Sequence, residues 1–339
     1  MKLLITSDLH LGINENTSIL DYQIKVLNYI TKIYRDYKCD YFCVAGDFFD
    51  KRKHINIDIF KNICEKFLDN NKDVNMIITA GNHDCYFRNT NETNSLSLLK
   101  SYNNIKIVDK QPYTLEKITF IPWINKDNQK LIEDYIFNDN SDYLICHIDV
   151  LGAKMDKINN FQGISSLDTT LLNNYKKVLS GHYHIKSEKD NIMYVGTPHQ
   201  LTWIDVNVEK YIHILDTETG EILELLMPFE LFKQFDLTQE NWQEYCNEEL
   251  KNKNVKIFYE DDIDKKWLND IQAKFIQINP NIQFLKKNNK KKEKDNVMLD
   301  IHETLLDSII NYTKNIKPDN CDKVELLLHK VYNELNNKG

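Results

Sequence analysis

Arginine is scarce in this chain of 339 residues: Arg35, Arg52 and Arg88 stand against forty lysines. With abundant Asn and Ile, the skew reads as a coding bias and assigns no chemistry. Long apolar runs are also missing. No stretch approaches the ~20 residues of a membrane helix, which excludes a membrane-spanning helix. An N-terminal signal peptide is not expected, because the short apolar run of "MKLLITSDLH" leads straight into Asp8 and His10 without a cleavage region. The expected location is the cytoplasm, or the host cytoplasm if the chain is viral. Cysteine pairing is lacking too: the seven cysteines, at 39, 43, 64, 85, 146, 246 and 321, are odd in number and contain no CxxC. That excludes a disulfide framework or a zinc ribbon and points to reduced thiols. Cys43 and Cys146 lie in apolar runs and read as small buried hydrophobes. Net positive charge is absent as well. At −8 the chain is no blanket nucleic-acid binder, although lysines gather locally in "KKNNKKKEK" at 286–294.

What is present begins with an ordinary globular composition, 42% hydrophobic and 28% charged, able to bury a core. The length suggests one main domain plus smaller additions. Strand-like runs at 2–7, 40–46 and 74–81 alternate with helical stripes. One stripe carries Leu20, Ile24, Leu27, Ile30 and Tyr34; the next carries Ile59, Phe60, Ile63, Phe67 and Leu68. This β-α-β-α-β order predicts a largely parallel sheet with helices outside. Shorter strands at 105–108, 117–121, 143–147, 177–180, 191–195 and 211–215 predict a second sheet packed on the first. No internal repeat is evident. Farther on, 255–260, 265–277 and 282–287 read as a small β-α-β unit. A lysine-rich linker without apolar residues follows, and then two helical stripes (Ile301, Leu305, Ile309; Val324, Leu327, Leu328, Val331, Leu335) broken at "KPDN". A hairpin of that kind needs a surface to pack against.

Polar residues collect where the predicted strands end. Asp8 and His10 follow the first, Gly46-Asp47 the second, and Gly81-Asn82-His83-Asp84 the third. His147 closes "YLICH", and His182 and His184 close "LSGHYH". Alone, "GNHD" would be an ordinary turn. Open α/β sheets, however, place their ligands at such strand ends. Two aspartates, one asparagine and four histidines form an oxygen and nitrogen set without thiolate. That set suits manganese, iron or zinc better than calcium, and it exceeds the needs of one ion. A strand-end aspartate can bridge two ions about 3.5–4 Å apart, a pair that clamps a phosphate and activates water. His83 is then free for proton work, with Asp84 placed in sequence to orient it.

DxH, GD, GNHD, a lone histidine after a strand and GHxH, in that order over about residues 1–200, resemble the calcineurin-like metallophosphoesterases. The resemblance implies an α/β fold: a two-sheet αββα sandwich with a small α+β capping domain and a C-terminal helical hairpin. It implies a first metal on Asp8, His10, Asp47 and His184, and a second on Asp47, Asn82, His147 and His182. His83 would serve the leaving oxygen or the transition state, steadied by Asp84. The ions would be divalent, manganese first, with magnesium, iron or zinc as alternatives.

Within that superfamily, "GDFFDKRK" (46–53), "VLSGHYHIKS" (178–187) and "YVGTPHQLTW" (194–203) are similar to SbcD-type recombination nucleases and their phage counterparts. That likeness implies a DNA exonuclease and endonuclease subunit in recombination and double-strand-break repair. The division it implies is a nuclease domain at 1–215, a capping domain at 216–287, a linker at 288–299 and a hairpin at 300–339. The hairpin would bind an SbcC-like coiled-coil ATPase. A homodimer within a heterotetramer, formed through the outer helices of the first half, is also implied.

Two departures limit the carry-over. Asp50 stands where archaeal and eukaryotic relatives carry histidine, so no second histidine role transfers there. The fourth element reads "CHIDV" rather than Gly-His, which leaves His147 resting on order and strand context. Lys51, Arg52 and Lys53, with His54, are candidate contacts to the DNA backbone, beside the reading of a solvated charged loop. The run at 286–294 is a linker that could add salt-sensitive phosphate contacts. His199 has a packing role or lies near the site. Two rivals remain open: a phosphatase or phosphodiesterase for small or protein phosphoesters, and a mainly structural subunit that tethers DNA to an ATPase.

Overall fold

Alternation along the strands decides what each face packs against. In β1 (Lys2–Thr6) Leu4 turns toward one core, while Leu3 and Ile5 turn toward another. The same two-residue beat runs through β2 (Tyr41–Ala45) and β3 (Met76–Thr79), where Phe42, Val44, Met76 and Ile78 join Leu4, and Cys43, Ala45 and Ile77 join Leu3. Strands apolar on both faces must be covered on both, which is the condition of a parallel sheet. Outside, α1 (Thr17–Asp36) and α2 (Ile57–Ile63) complete the first core. Helix α1 starts cleanly because the Asn16 side chain accepts from the backbone N–H groups of Ser18 at 2.9 Å and Ile19 at 3.2 Å. The stripe predicted through Leu68 leaves α2 by a wide π-turn over Cys64–Leu68. A computed structural model describes residues 1–150, 167–260 and 262–287.

Two six-stranded sheets form the body. The first runs β12-β11-β1-β2-β3-β4, adding β4 (Ile105–Val108), β11 (Tyr211–Asp216) and β12 (Ile222–Leu226). The second runs β5-β6-β7-β8-β10-β9, from β5 (Tyr113–Leu115), β6 (Ile118–Phe120), β7 (Tyr143–His147), β8 (Lys177–Gly181), β9 (Ser187–Lys189) and β10 (Ile192–Tyr194). The inner face of the second sheet contributes Phe120, Ile145, Leu179 and Val195 to the core shared with Leu3 and Ile5. Its outer face packs Leu144, Cys146 and Val178 with Ile132 and Ile136 of α3 (Gln129–Asn138). The result is an αββα sandwich.

Three expectations are corrected, and one helix was not expected. The strands at 105–108 and 211–215 join the first sheet rather than the second: β4 runs parallel to β3, and β11 pairs antiparallel with β1. A division at 215–216 falls inside that sheet, because the turn around Gly220 returns the chain as β12 along β11. Helix α3 carries no predicted stripe. The small unit has an additional strand, β13 (Phe232–Asp236), parallel to β14 (Asn254–Tyr259). That strand precedes a four-residue helix α4 (Trp242–Tyr245), with α5 (Lys265–Ile278) and β15 (Gln283–Lys286) completing the unit around its own core of Phe235, Ile257, Ile271 and Phe275. Met1–Lys287 form one compact unit. The linker expected at 288–299 and the hairpin expected at 300–339 lie outside the described residues. Six cysteines among the described residues are free thiols, and no described helix is long and apolar enough to cross a membrane.

Candidate metal centre

Strands β1, β2 and β3 of one sheet and β7 and β8 of the other end at the same edge of the sandwich, and each delivers side chains there. The first two loops are locked together by backbone pairs: Asp8 N–H donates to Gly46 at 3.1 Å, and His10 N–H donates to Asp47 at 3.0 Å. The geometry is strained. Asp8, His10, Asp47 and His182 have φ of 51°, 43°, 52° and 93°, a region that side chains rarely adopt. Such outliers persist where surrounding structure over-determines them, as at functional sites. Gly46 and Gly81 are required by close approach: a Cβ on Gly46 would stand 2.2 Å from His147 Nδ1, and one on Gly81 would stand 2.2 Å from Asp47 Oδ1.

Asp47 is central. Its Oδ2 lies 3.6 Å from His10 Nε2 and 3.4 Å from His147 Nε2. Asp8 Oδ1 lies 3.9 Å from both His10 Nε2 and His184 Nε2. The backbone N–H of His182 donates to the Asp8 carboxylate at 3.1 Å, fixing its pose. Asn82 Oδ1 sits 3.0 Å from His147 Nε2 and 3.1 Å from His182 Nδ1. On its far side His147 donates Nδ1–H to the Ala45 carbonyl at 2.8 Å, which turns Nε2 toward the cluster as the nitrogen available to an ion. Thus all seven expected ligands converge. Asp8, His10 and His184 form one potential ligand group, and Asp8, Asp47 and His147 form another.

The donor set fits divalent cations. His10 is 3% exposed, and neither ring nitrogen has a hydrogen-bond partner. Leaving such donors unmatched is costly unless another ligand takes them. Buried carboxylates facing several imidazoles also suit a cation of mixed oxygen and nitrogen preference. Burial works to raise the Asp47 carboxyl, but His147, His10 and His83 outweigh it and hold it well below the usual range. Burial lowers His147, yet Asp47 raises it to about 9. His182 is pushed down to about 4 by burial and by the charge of His147.

His83 stands at the rim. Its backbone N–H donates to Asp47 Oδ1 at 2.7 Å, and its Nδ1–H donates to the Asp50 carbonyl at 2.7 Å. The expectation that Asp84 orients this ring is corrected. The buried Asp84 carboxylate accepts from the backbone N–H groups of Gly81 at 2.9 Å, Phe49 at 3.1 Å and Phe48 at 3.3 Å. It therefore staples the loop that carries Asp47 to the loop that carries Asn82. Burial and the charge of Asp47 raise it to about 7, against those three donors.

Two neighbours were not anticipated. Asp50 Oδ1 lies 3.4 Å from His10 Nδ1, so Asp50 touches two histidines of the centre. Trp123 walls the other side, with its ring centroid 5.8 Å from His147 and 5.4 Å from His182. Its place just after β6 was the available signal. Lys51, Arg52 and Lys53 line a pocket of about 480 Å³ together with Asp50, His54 and His83. His199 is buried, its ring edge-on to Tyr22 at 5.9 Å.

Comparison with known proteins agrees with this geometry. Exonuclease subunit 1 of Enterobacteria phage T4 is 31% identical over 228 residues, covering 65% of this chain and 66% of that protein. The SbcD subunit of the SbcCD nuclease of Staphylococcus epidermidis is 24% identical over 315 residues, covering 83% and 84%. DNA double-strand break repair protein Mre11 of Nanoarchaeum equitans is 25% identical over 253 residues, covering 62% and 64%. The chain thus spans just under two thirds of the phage and archaeal relatives. Residues 1–211, which contain every residue of the cluster, match the family described as calcineurin-like phosphoesterase, and the chain belongs to that family.

Proposed function

We propose that this chain is a metal-dependent phosphodiesterase acting on DNA, the nuclease subunit of an SbcCD-like recombination and break-repair complex. The observation that carries the reading is the convergence of Asp8, His10, Asp47, Asn82, His147, His182 and His184 at one sheet edge, with His83 on its rim. Asp8, His10, Asp47 and His184 hold one divalent ion; Asp47, Asn82, His147 and His182 hold the other, with manganese the first choice. Bound there, such a pair supplies Lewis acidity and an activated water.

The chain's own part follows from its geometry. Asp47 faces His10 and His147 from one carboxylate oxygen, so it is the residue shared between the two halves. His83 would keep its Nδ1–H on the Asp50 carbonyl and, as the imidazolium protonated on both nitrogens, would give the Nε2 proton to the leaving oxygen and return to the neutral Nδ1–H ring. Lys51, Arg52 and Lys53 hold the DNA backbone beside it. The names of the relatives favour DNA over small phosphoesters. The lysine-rich linker and the apolar stripes of 300–339 favour an ATPase partner, and the chain works in the cytoplasm as a homodimer within that complex. Deleting 300–339 is expected to release the ATPase while sparing cleavage of small substrates. The substrate reading is tested by a manganese-supplemented assay on linear duplex DNA beside a generic phosphodiester. Hydrolysis of both supports it, whereas hydrolysis of the small ester alone transfers the site to the phosphatase reading.

A further inference from the structure

Two large aromatic side chains stand in solvent directly after the loop that carries His83. Tyr86 is 37% exposed and Phe87 49% exposed, and their rings meet edge-to-face with centroids 4.7 Å apart. The loop does not need these rings for its shape. It is held by backbone and buried groups: Tyr86 N–H donates to the Thr93 carbonyl at 2.9 Å, and Cys85 bridges to Asn94. Across from the rings lies the cationic loop of the phosphate pocket. Lys53 Nζ is 6.0 Å from the Tyr86 centroid, and Lys51, Arg52 and Lys53 share the pocket with His83. Arginine, so scarce in this chain, is concentrated here, with Arg52 on one loop and Arg88 exposed beside Phe87 on the other.

Exposed rings interleaved with cations have a specific use. Phosphates are neutralised by Lys and Arg, while bases stack on aromatic faces whatever their identity, because every base has a π-face. In a chain of net charge −8, cations gathered beside exposed rings and a phosphoryl-transfer centre match a polyanion with planar groups. We propose that Tyr86 and Phe87 form a stacking platform for an unpaired base next to the phosphate that is cut. Lys53, Arg52 and Arg88 hold the flanking backbone. The inference rests on the nuclease reading and adds to it a contact to the base beside the phosphate that is cut.

The test uses the full chain and a single-stranded oligonucleotide with 2-aminopurine moved one position at a time, in EDTA so that no bond is cut. Wild type is expected to quench the fluorophore at one position and to bind an oligonucleotide abasic there about tenfold more weakly. Tyr86→Ala/Phe87→Ala is expected to lose the quench and to bind both oligonucleotides with the same, weaker affinity. Tyr86→Trp/Phe87→Trp is expected to restore discrimination. Metal content and thermal unfolding confirm that each variant is folded. If wild type binds and cuts DNA but the alanine variant keeps its quench and discrimination, the platform is overturned alone. If wild type hydrolyses a small phosphodiester but neither binds nor cuts DNA, the nuclease reading falls and the platform with it.

Discussion

His83 donates its Nδ1–H to the backbone carbonyl of Asp50 at 2.7 Å. The carboxylate of the same residue lies 3.4 Å from Nδ1 of His10. One residue thus sets the tautomer of His83 with its carbonyl and faces His10 with its carboxylate, and the two groups can be separated by mutation. Asp50→Asn keeps the carbonyl and removes the charge. Because groups behind a metal-ligating histidine typically matter 10–100-fold for affinity, apparent metal affinity is expected to fall by about that factor. Titration calorimetry measures this. Unchanged affinity would show that the Asp50 carboxylate does not support His10.

Asp84 makes a different demand. Its carboxylate accepts three backbone N–H groups, so Asp84→Asn sets an amide against donors it can only partly satisfy. A loss of about 1–3 kcal/mol in unfolding free energy is expected from the buried backbone donors left unmatched, with metal affinity falling as the two loops separate. Urea denaturation reads the first effect. A variant as stable as wild type but slow in proton transfer would return Asp84 to the role of orienting His83.

Behind His184 sits a buried ion pair. Lys210 Nζ donates to Asp205 Oδ1 at 2.6 Å and to the His184 carbonyl at 3.1 Å. Burial raises the Asp205 carboxyl, but Lys210 and the backbone donors of Thr202 and Leu201 outweigh it and hold it below its usual range. A carboxyl lowered on folding contributes stability above its unfolded value, about 3.9, and loses it as pH falls through the lower folded value. Asp205→Asn is therefore expected to cost about 3 kcal/mol at neutral pH and to flatten the decline in stability below about pH 4. Thermal unfolding across pH checks both; an unchanged acid limb would contradict the assignment.

Chelation is expected to lower the unfolding temperature. An ion at a hundred times its dissociation constant stabilises the folded chain by about 2.7 kcal/mol. The pH dependence has a definite sign. Asp47 raises His147 to about 9, and a proton on that ring competes with the ion, so apparent affinity rises with pH until about pH 9. Affinity that falls with pH over this range would exclude His147 as a ligand.

How much was legible can be judged residue by residue. Asp8, His10, Asp47, Asn82, His147, His182 and His184 were readable because each follows an apolar run, and strand ends on a parallel sheet converge. Asp50 was not, since half of its role is a backbone carbonyl that any residue supplies. Trp123 was missed because an apolar ring in a loop reads as core. The direction of Asp84 was misjudged, as neighbours in a tight turn point to opposite sides. Residues 105–108 and 211–215 were readable as short strands, but a strand's own sequence says nothing about which sheet it joins. The scarcity of arginine carried no message until folding put Arg52 and Arg88 on adjoining loops.

The central claim is a division of labour in which seven side chains hold metal and His83 moves a proton. It is tested most directly by comparing wild type with His83→Gln on linear duplex DNA in manganese, with bound metal counted in the same preparations. Two divalent ions are expected in both proteins, with a loss of cleavage of about 10²–10⁴-fold in the variant. Full cleavage by the variant, or loss of both ions with His83, would contradict it.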